Sequence, residues 1–344
     1  MELETKERKE FKHFKIYLLR SGIPLEASIT QKVQIFDLID KGEYFYERNG
    51  KVFSVDINAT GFLDFEKIHY RDNLIALDLL IECKYHEEDR KWAFMSFKKP
   101  RDFSFRVNTR NVFIEFPLKK RLNEYGYYQK YQKRKYKQFY PQIFSKYFPK
   151  NLRKVHKGIE IHKGGFNPKS ISESRFQLLF GLGKKISEGV KDLYENSEEK
   201  YIDGDEYFYR HGLLGYFLLP IIVTTAELYV LKPEITVEDI KQSKNLEQIA
   251  ENVKAVFYEQ GPHLELEDFI RKSFTFKEEM LKSQFFTYDN IDSEISIVSN
   301  IEPRILIINY YNFEEIFQLF LKELNLHLKE LSQFWTRVRK KSRR

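Results

Sequence analysis

Residues 74–85 read Leu-Ile-Ala-Leu-Asp-Leu-Leu-Ile-Glu-Cys-Lys-Tyr. The run is nearly continuous apolar sequence. It reads as a central strand buried on both faces, which in turn requires neighbours on each side and helices covering the sheet. Side chains alternate along a strand, so Asp78, Leu80, Glu82 and Lys84 share one face and Leu79, Ile81 and Cys83 the other. A carboxylate and an ammonium two residues apart in such a strand are costly to bury. They must be paired, bind a metal or lie at a strand end open to solvent.

The flanking sequence supports an α/β architecture. Residues 1–20 form a charged helical stretch broken at Ser21-Gly22. Pro24 suits the first turn of a new helix, in which Leu25, Ile29, Val33, Phe36 and Ile39 recur at helical spacing. Two strands follow, near 44–48 and 51–58, joined by Asn49-Gly50, a pair that tolerates the positive φ angles of a tight hairpin. A loop is expected from Gly61 to Asp72, and a further strand at 91–97. Ser170 to Glu173 resembles a capping box opening a helix. Residues 217–231 read as a buried strand and its continuation. Thr236 caps a helical stretch with Leu246, Ile249, Val253 and Val256 inward, and a strand at 304–310 precedes a long final helix. Strands alternating with helices throughout argue for this class.

Composition narrows the function classes. The chain has 344 residues, 31 Phe, 22 Tyr and a net charge of +7, enough apolar material for a large core and a basic excess that permits a polyanionic partner. A single cysteine, Cys83, excludes an internal disulfide framework and a multi-cysteine zinc site and fits a reducing compartment. No secretory leader or membrane span is read, so a cytoplasmic location with no membrane partner is expected. Residues 117–157 hold thirteen Lys or Arg against one acid, Glu124, interleaved with Tyr and Phe. Lys130, Lys133, Arg134, Lys135 and Lys137 are the candidate phosphate contacts, with aromatic rings available to stack on bases. The alternative is a helical surface with solvated lysines. The tail from Arg337 carries six further basic residues and no acid.

The preceding strand ends in Val55-Asp56-Ile57, which lets Asp56 meet Glu82 if the two strands are neighbours. Glu-x-Lys alone means little, since Glu4-Thr-Lys6, Glu7-Arg-Lys9 and Glu10-Phe-Lys12 are ordinary solvated charges. Its apolar setting, the strand-borne Asp56 and the earlier helix bearing Glu26 are what set the third-strand copy apart. Together, Ile23-Pro24-Leu25-Glu26, Asp56-Ile57, Ile81-Glu82-Cys83-Lys84 and Lys91-Trp92-Ala93-Phe94 resemble the PD-(D/E)xK nuclease superfamily, and within it small restriction-endonuclease-like proteins. Val55 stands where the motif's name has proline. The resemblance covers about residues 21–97.

That resemblance implies a restriction-endonuclease-like core, a mixed central sheet flanked by helices, mainly 21–100 and about 205–335; with no clear linker in the sequence, a single domain over 1–344 with a basic helical insertion at about 117–200 is expected. It implies a magnesium- or manganese-dependent endonuclease acting on DNA, in restriction or host defence, with a homodimer as the form expected to cut both strands. Asp56 and Glu82 would ligate the metal with the backbone carbonyl of Cys83. Lys84 would orient or deprotonate the attacking water, or stabilise the phosphorane. Glu26 would be an accessory ligand or hold an outer water. Asp78 is a weaker candidate further back on the strand. The competing reading is a catalytically degenerate binding module or partner subunit of a larger complex.

Overall fold

The computed structural model describes residues 13–64, 74–87, 89–96, 153–167, 170–198, 213–259, 304–322 and 324–325. Lys130, Lys133, Arg134, Lys135, Lys137 and the basic tail lie outside them.

A helical segment over 13–20 stops at Gly22, whose positive φ a residue with a Cβ adopts only under strain. Helix α1 (Ile23–Gln34) starts there with proline in its first turn and buries Leu25, Ile29 and Val33. The strands β1 (Ile39–Asp40), β2 (Tyr44–Arg48), β3 (Lys51–Val55), β4 (Ile57–Asp64), β5 (Leu74–Lys84) and β6 (Lys91–Ser96) follow. Asn49 and Gly50 both have positive φ and close the β2–β3 hairpin as expected. Next come β7 (Arg153–His162), β8 (Gly165–Asn167), helix α2 (Ser170–Glu198), β9 (Leu213–Thr224) and β10 (Glu227–Leu231). The chain continues with α3 (Val237–Gln242), β11 (Ala250–Val253), β12 (Ala255–Glu259), β13 (Arg304–Asn309) and a helix over 313–322, α4.

Apart from β2 and β3, all the described strands join one mixed sheet in the order β1-β4-β5-β9-β13-β12-β7-β6-β10-β11, with β8 on β7. As the apolar run requires, β5 is interior, antiparallel to β4 and parallel to β9. One face packs Leu79, Ile81 and Cys83 with α1 and with Phe313, Ile316 and Phe317 of α4. On the other face Leu80 shares a core with α2, the hairpin, and Trp92 and Phe94 of β6. Thus β5 and β6, distant in strand order, contribute to one cluster, and the sheet curls over α2.

The curl is made where two parallel strands cross together. β5 runs into β6, and β9 into β10, through bends at 85–90 and 225–226. Thr225 ties them: its hydroxyl accepts from the His86 N–H at 2.6 Å and donates to the His86 carbonyl at 2.8 Å. Asn309 Nδ2 donates to the Ala226 carbonyl at 2.9 Å.

Three expectations are corrected. Asp56 breaks the strand read over 51–58, leaving β3 in the hairpin and β4 in the main sheet. β4 runs on through Gly61 to Asp64, because Leu38 covers the space where a side chain at 61 would stand. The helix read from Thr236 is only six residues long; its capping box is present, but Ala250–Val253 and Ala255–Glu259 are strands. Residues 153–162 form a sheet strand between β12 and β6, and residues 170–198 form the helix expected to open at Ser170, packed on the sheet. Among the described residues no helix is long and apolar enough to cross a membrane.

Candidate metal and phosphodiester site

The site forms where β4 gives out. The β4–β5 register pairs Ile57 with Ile81, so the next rung towards the end of β5 would set residue 55 against Cys83. Val55 instead belongs to the hairpin, held down by α2: the Tyr46 hydroxyl donates to the Gln177 carbonyl at 2.8 Å, and Gln177 Nε2 donates to the Ser54 carbonyl. Gly181 of α2 lies directly over Val55; a Cβ there would stand 2.8 Å from Val55 Cγ2. The chain therefore turns away at Asp56, and its carboxylate fills the vacated rung. Asp56 Oδ2 accepts the Cys83 N–H at 2.6 Å. Within a strand the N–H and C=O of one residue point to the same side, so the Cys83 carbonyl opens on that edge too. The Cys83 side chain is core.

Glu82 and Lys84 project from the same end of β5. Glu82 is fully buried. Lys84 Nζ stands 2.5 Å from Glu82 Oε1, and neither Glu82 oxygen receives a properly directed hydrogen bond. Burial, reinforced by Asp56 and Glu26, outweighs the pull of Lys84 and pushes Glu82 up to about 7. Asp56 is also raised, by burial and Glu43, against the Cys83 hydrogen bond and Lys84. Burial, Asp56 and Glu43 raise Glu26 on α1. Burial pulls the Lys84 pKa down, but Glu82 and Asp56 outweigh that, and the ammonium ends above its ordinary range.

The structure thus brings Glu26, Asp56, Glu82 and Lys84 into one electrostatic neighbourhood, with Cys83 supplying backbone. Asp78 is excluded. It accepts from Thr60 Oγ1 at 2.6 Å, directly across the β4–β5 rung, and pairs with Lys185 of α2 at 3.6 Å, which satisfies it as a structural residue. Glu43 was missed. It precedes β2, and only the fold sets it opposite Asp56.

A second buried polar group was also missed. Glu160 of β7 pairs with Arg90, accepts from Trp92 Nε1 at 3.3 Å, and lies 3.7 Å from His86 Nε2. Burial lowers the His86 pKa despite Glu160, keeping the imidazole neutral. In the sequence these are isolated residues, and no local spacing links them.

Among the described residues no three His, Cys, Asp or Glu groups stand close enough together to hold one ion. The donors at the end of β5 are two carboxylates and a carbonyl, all hard oxygens, and magnesium is commonly held by one or two carboxylates while keeping several waters. A buried carboxylate with one unpartnered oxygen suits such an ion. No family model, curated protein or solved structure matches the chain.

Proposed function

We propose that the protein is a divalent-metal-dependent nuclease of the PD-(D/E)xK kind, with a restriction-endonuclease-like core, that hydrolyses phosphodiester bonds of DNA. The observation that carries this reading is the end of β5: Glu82 fully buried with its Oε2 unpartnered, Lys84 Nζ 2.5 Å from its Oε1, and Asp56 on the adjacent backbone N–H. A purely structural ion pair leaves the second oxygen of a fully buried carboxylate with nothing to offset its desolvation.

Asp56, Glu82 and the Cys83 carbonyl would hold magnesium or manganese, and Glu26 would steady an outer water. When bound, the ion neutralises phosphate charge and makes its water a stronger nucleophile. The chain's own residues supply the rest. Asp56 is fixed by its bond to Cys83 and cannot drift from the strand end. Lys84 is protonated at neutral pH, so it serves as a hydrogen-bond donor and positive charge rather than as the base. In that role it orients the attacking water and offsets charge on the phosphoryl oxygens as the water oxygen bonds to phosphorus and the sugar oxygen departs. The closed core behind β5 keeps these groups on rigid backbone, which such geometry requires. The five basic residues Lys130, Lys133, Arg134, Lys135 and Lys137 would bind the nucleic-acid backbone.

The test is incubation of the purified full chain with supercoiled plasmid, linear duplex, single-stranded DNA and RNA, with magnesium, manganese or EDTA. Metal-dependent cutting of DNA that disappears in Lys84→Ala, with DNA binding retained, supports the proposal. Binding without cutting under every metal condition would favour a degenerate binding module.

A further inference from the structure

Glu43 enters the site through the fold alone. Gly42 has a positive φ and donates its N–H to Asp40 Oδ1 at 2.9 Å, a tight turn that only glycine adopts without strain. The Asn58 N–H donates to the Gly42 carbonyl at 2.9 Å, the Lys41 N–H donates to the Asn58 carbonyl at 2.8 Å, and Tyr44 pairs with Val55. Residue 43 is thereby set across from the Asp56 bend, between two rungs. Its side chain is exposed, and its charge acts on both Asp56 and Glu26.

Three carboxylates at a mouth prove nothing by themselves. Behind them Glu82 has no solvent exposure; Lys84 Nζ lies 2.5 Å from its Oε1, while its Oε2 has no hydrogen-bond partner. Glu26, Glu43, Asp56 and Glu82 make four carboxylates against one ammonium, Lys84. A hard cation relieves that imbalance, whereas a bare phosphate is repelled by it.

We infer that Glu43 is an outer positioning residue of the cation site, accepting a hydrogen bond from a water on a divalent metal held by Asp56 and Glu82. This rests on reading the end of β5 as a cation site. The outer place follows from the exposure of Glu43 across from Asp56, while Glu82 is buried, and from the readiness of magnesium to keep its waters. Outer partners of this sort typically change metal affinity about 10- to 100-fold.

The experiment is isothermal titration of the full chain with manganese and magnesium, without nucleic acid, using Glu43→Gln, Glu43→Asp, Glu47→Gln and Asp56→Asn. Glu47 is exposed on the same hairpin, opposite Val52, and serves as the charge control. The expected result is affinity weakened about 10-fold or more in Glu43→Gln, partly restored in Glu43→Asp, and unchanged in Glu47→Gln. Equal effects of Glu43→Gln and Glu47→Gln, or none from Glu43→Gln while Asp56→Asn abolishes binding, overturn the role of Glu43 alone. No effect from Asp56→Asn overturns the cation site itself. Circular dichroism of each variant separates loss of fold from loss of ligand.

Discussion

Asp56 Oδ2 lies 2.6 Å from the backbone nitrogen of Cys83, where residue 55 would have paired had β4 run on. One carboxylate thus does two jobs: it finishes the sheet and faces the candidate cation. The two separate by substitution. Asp56→Asn keeps an oxygen for the Cys83 N–H and removes the charge. It should unfold within a few degrees of the parent yet lose at least about 100-fold in metal-dependent cutting. Asp56→Ala leaves the N–H without its acceptor and should cost a further ~1–3 kcal/mol in denaturant titration. Full cutting by Asp56→Asn would contradict the proposed role.

Glu82 makes stability depend on pH in an unusual direction. Its folded pKa, about 7, exceeds the ordinary 4.5, so the folded state favours the protonated form. The contribution is fully present below about pH 4.5 and is lost as pH rises through about 7. Its full extent is on the order of 3 kcal/mol. Glu82→Gln should therefore be more stable than the parent at pH 8 in EDTA, with the difference shrinking towards pH 5. Thermal melts across that range check it. A variant less stable than the parent at pH 8 would show Glu82 to be a net structural asset.

The same proton competes with metal. Between pH 5 and 7, divalent affinity of the parent should climb steeply, by up to about tenfold per pH unit, and then flatten. Calorimetric titration at several pH values reads this directly. A flat profile would mean that Glu82 does not ligate.

The hairpin that steers Asp56 depends on a bare α-carbon in α2. In Gly181→Ala the new methyl would meet the stiff, buried Val55 at 2.8 Å, so the hairpin must give. Overpacking of this kind costs about 1–3 kcal/mol, partly offset by about 1 kcal/mol of better helix propensity. The larger expected effect is on cutting, because Asp56 follows Val55. Activity reduced about tenfold or more, out of proportion to the stability change, is the signature. Unaltered cutting would show the hairpin and the site to be uncoupled.

For the basic segment the observable is salt dependence. Replacing Lys130, Lys133, Arg134, Lys135 and Lys137 together by alanine should flatten the log–log slope of DNA affinity against salt by about 0.9 for each phosphate contact removed. Filter binding in EDTA measures this apart from cutting, and an unchanged slope would place the nucleic-acid contacts elsewhere.

Much of this was legible because the relevant signals are local. The apolar run of β5 announced an interior strand, Asn49-Gly50 a hairpin and Pro24 a helix start, and alternation put Glu82 and Lys84 on one face. What was illegible depends on distant partners. Gly61 looked like a loop because its strand role comes from Leu38 lying over it. Leu246, Ile249, Val253 and Val256 mimic helical spacing, yet β12 buries Val256 and Tyr258 on one face and Ala255 and Phe257 on the other, which erases the two-residue alternation. Glu43 carries no motif, and Glu160 meets His86 and Trp92 only after the sheet curls.

Thr225 grips the end of β5 from 139 residues further along the chain. During synthesis on the ribosome, Glu26, Asp56, Glu82 and Lys84 therefore emerge long before β9, the strand that backs them. Until Pro220 to Thr224 arrive and dock, one flank of β5 has no partner and Glu82 remains wet, with an ordinary acidity and no special hold on a cation. Competence at this site is consequently a property of a chain already made through β9, although every side chain proposed to handle the ion lies at or before Lys84.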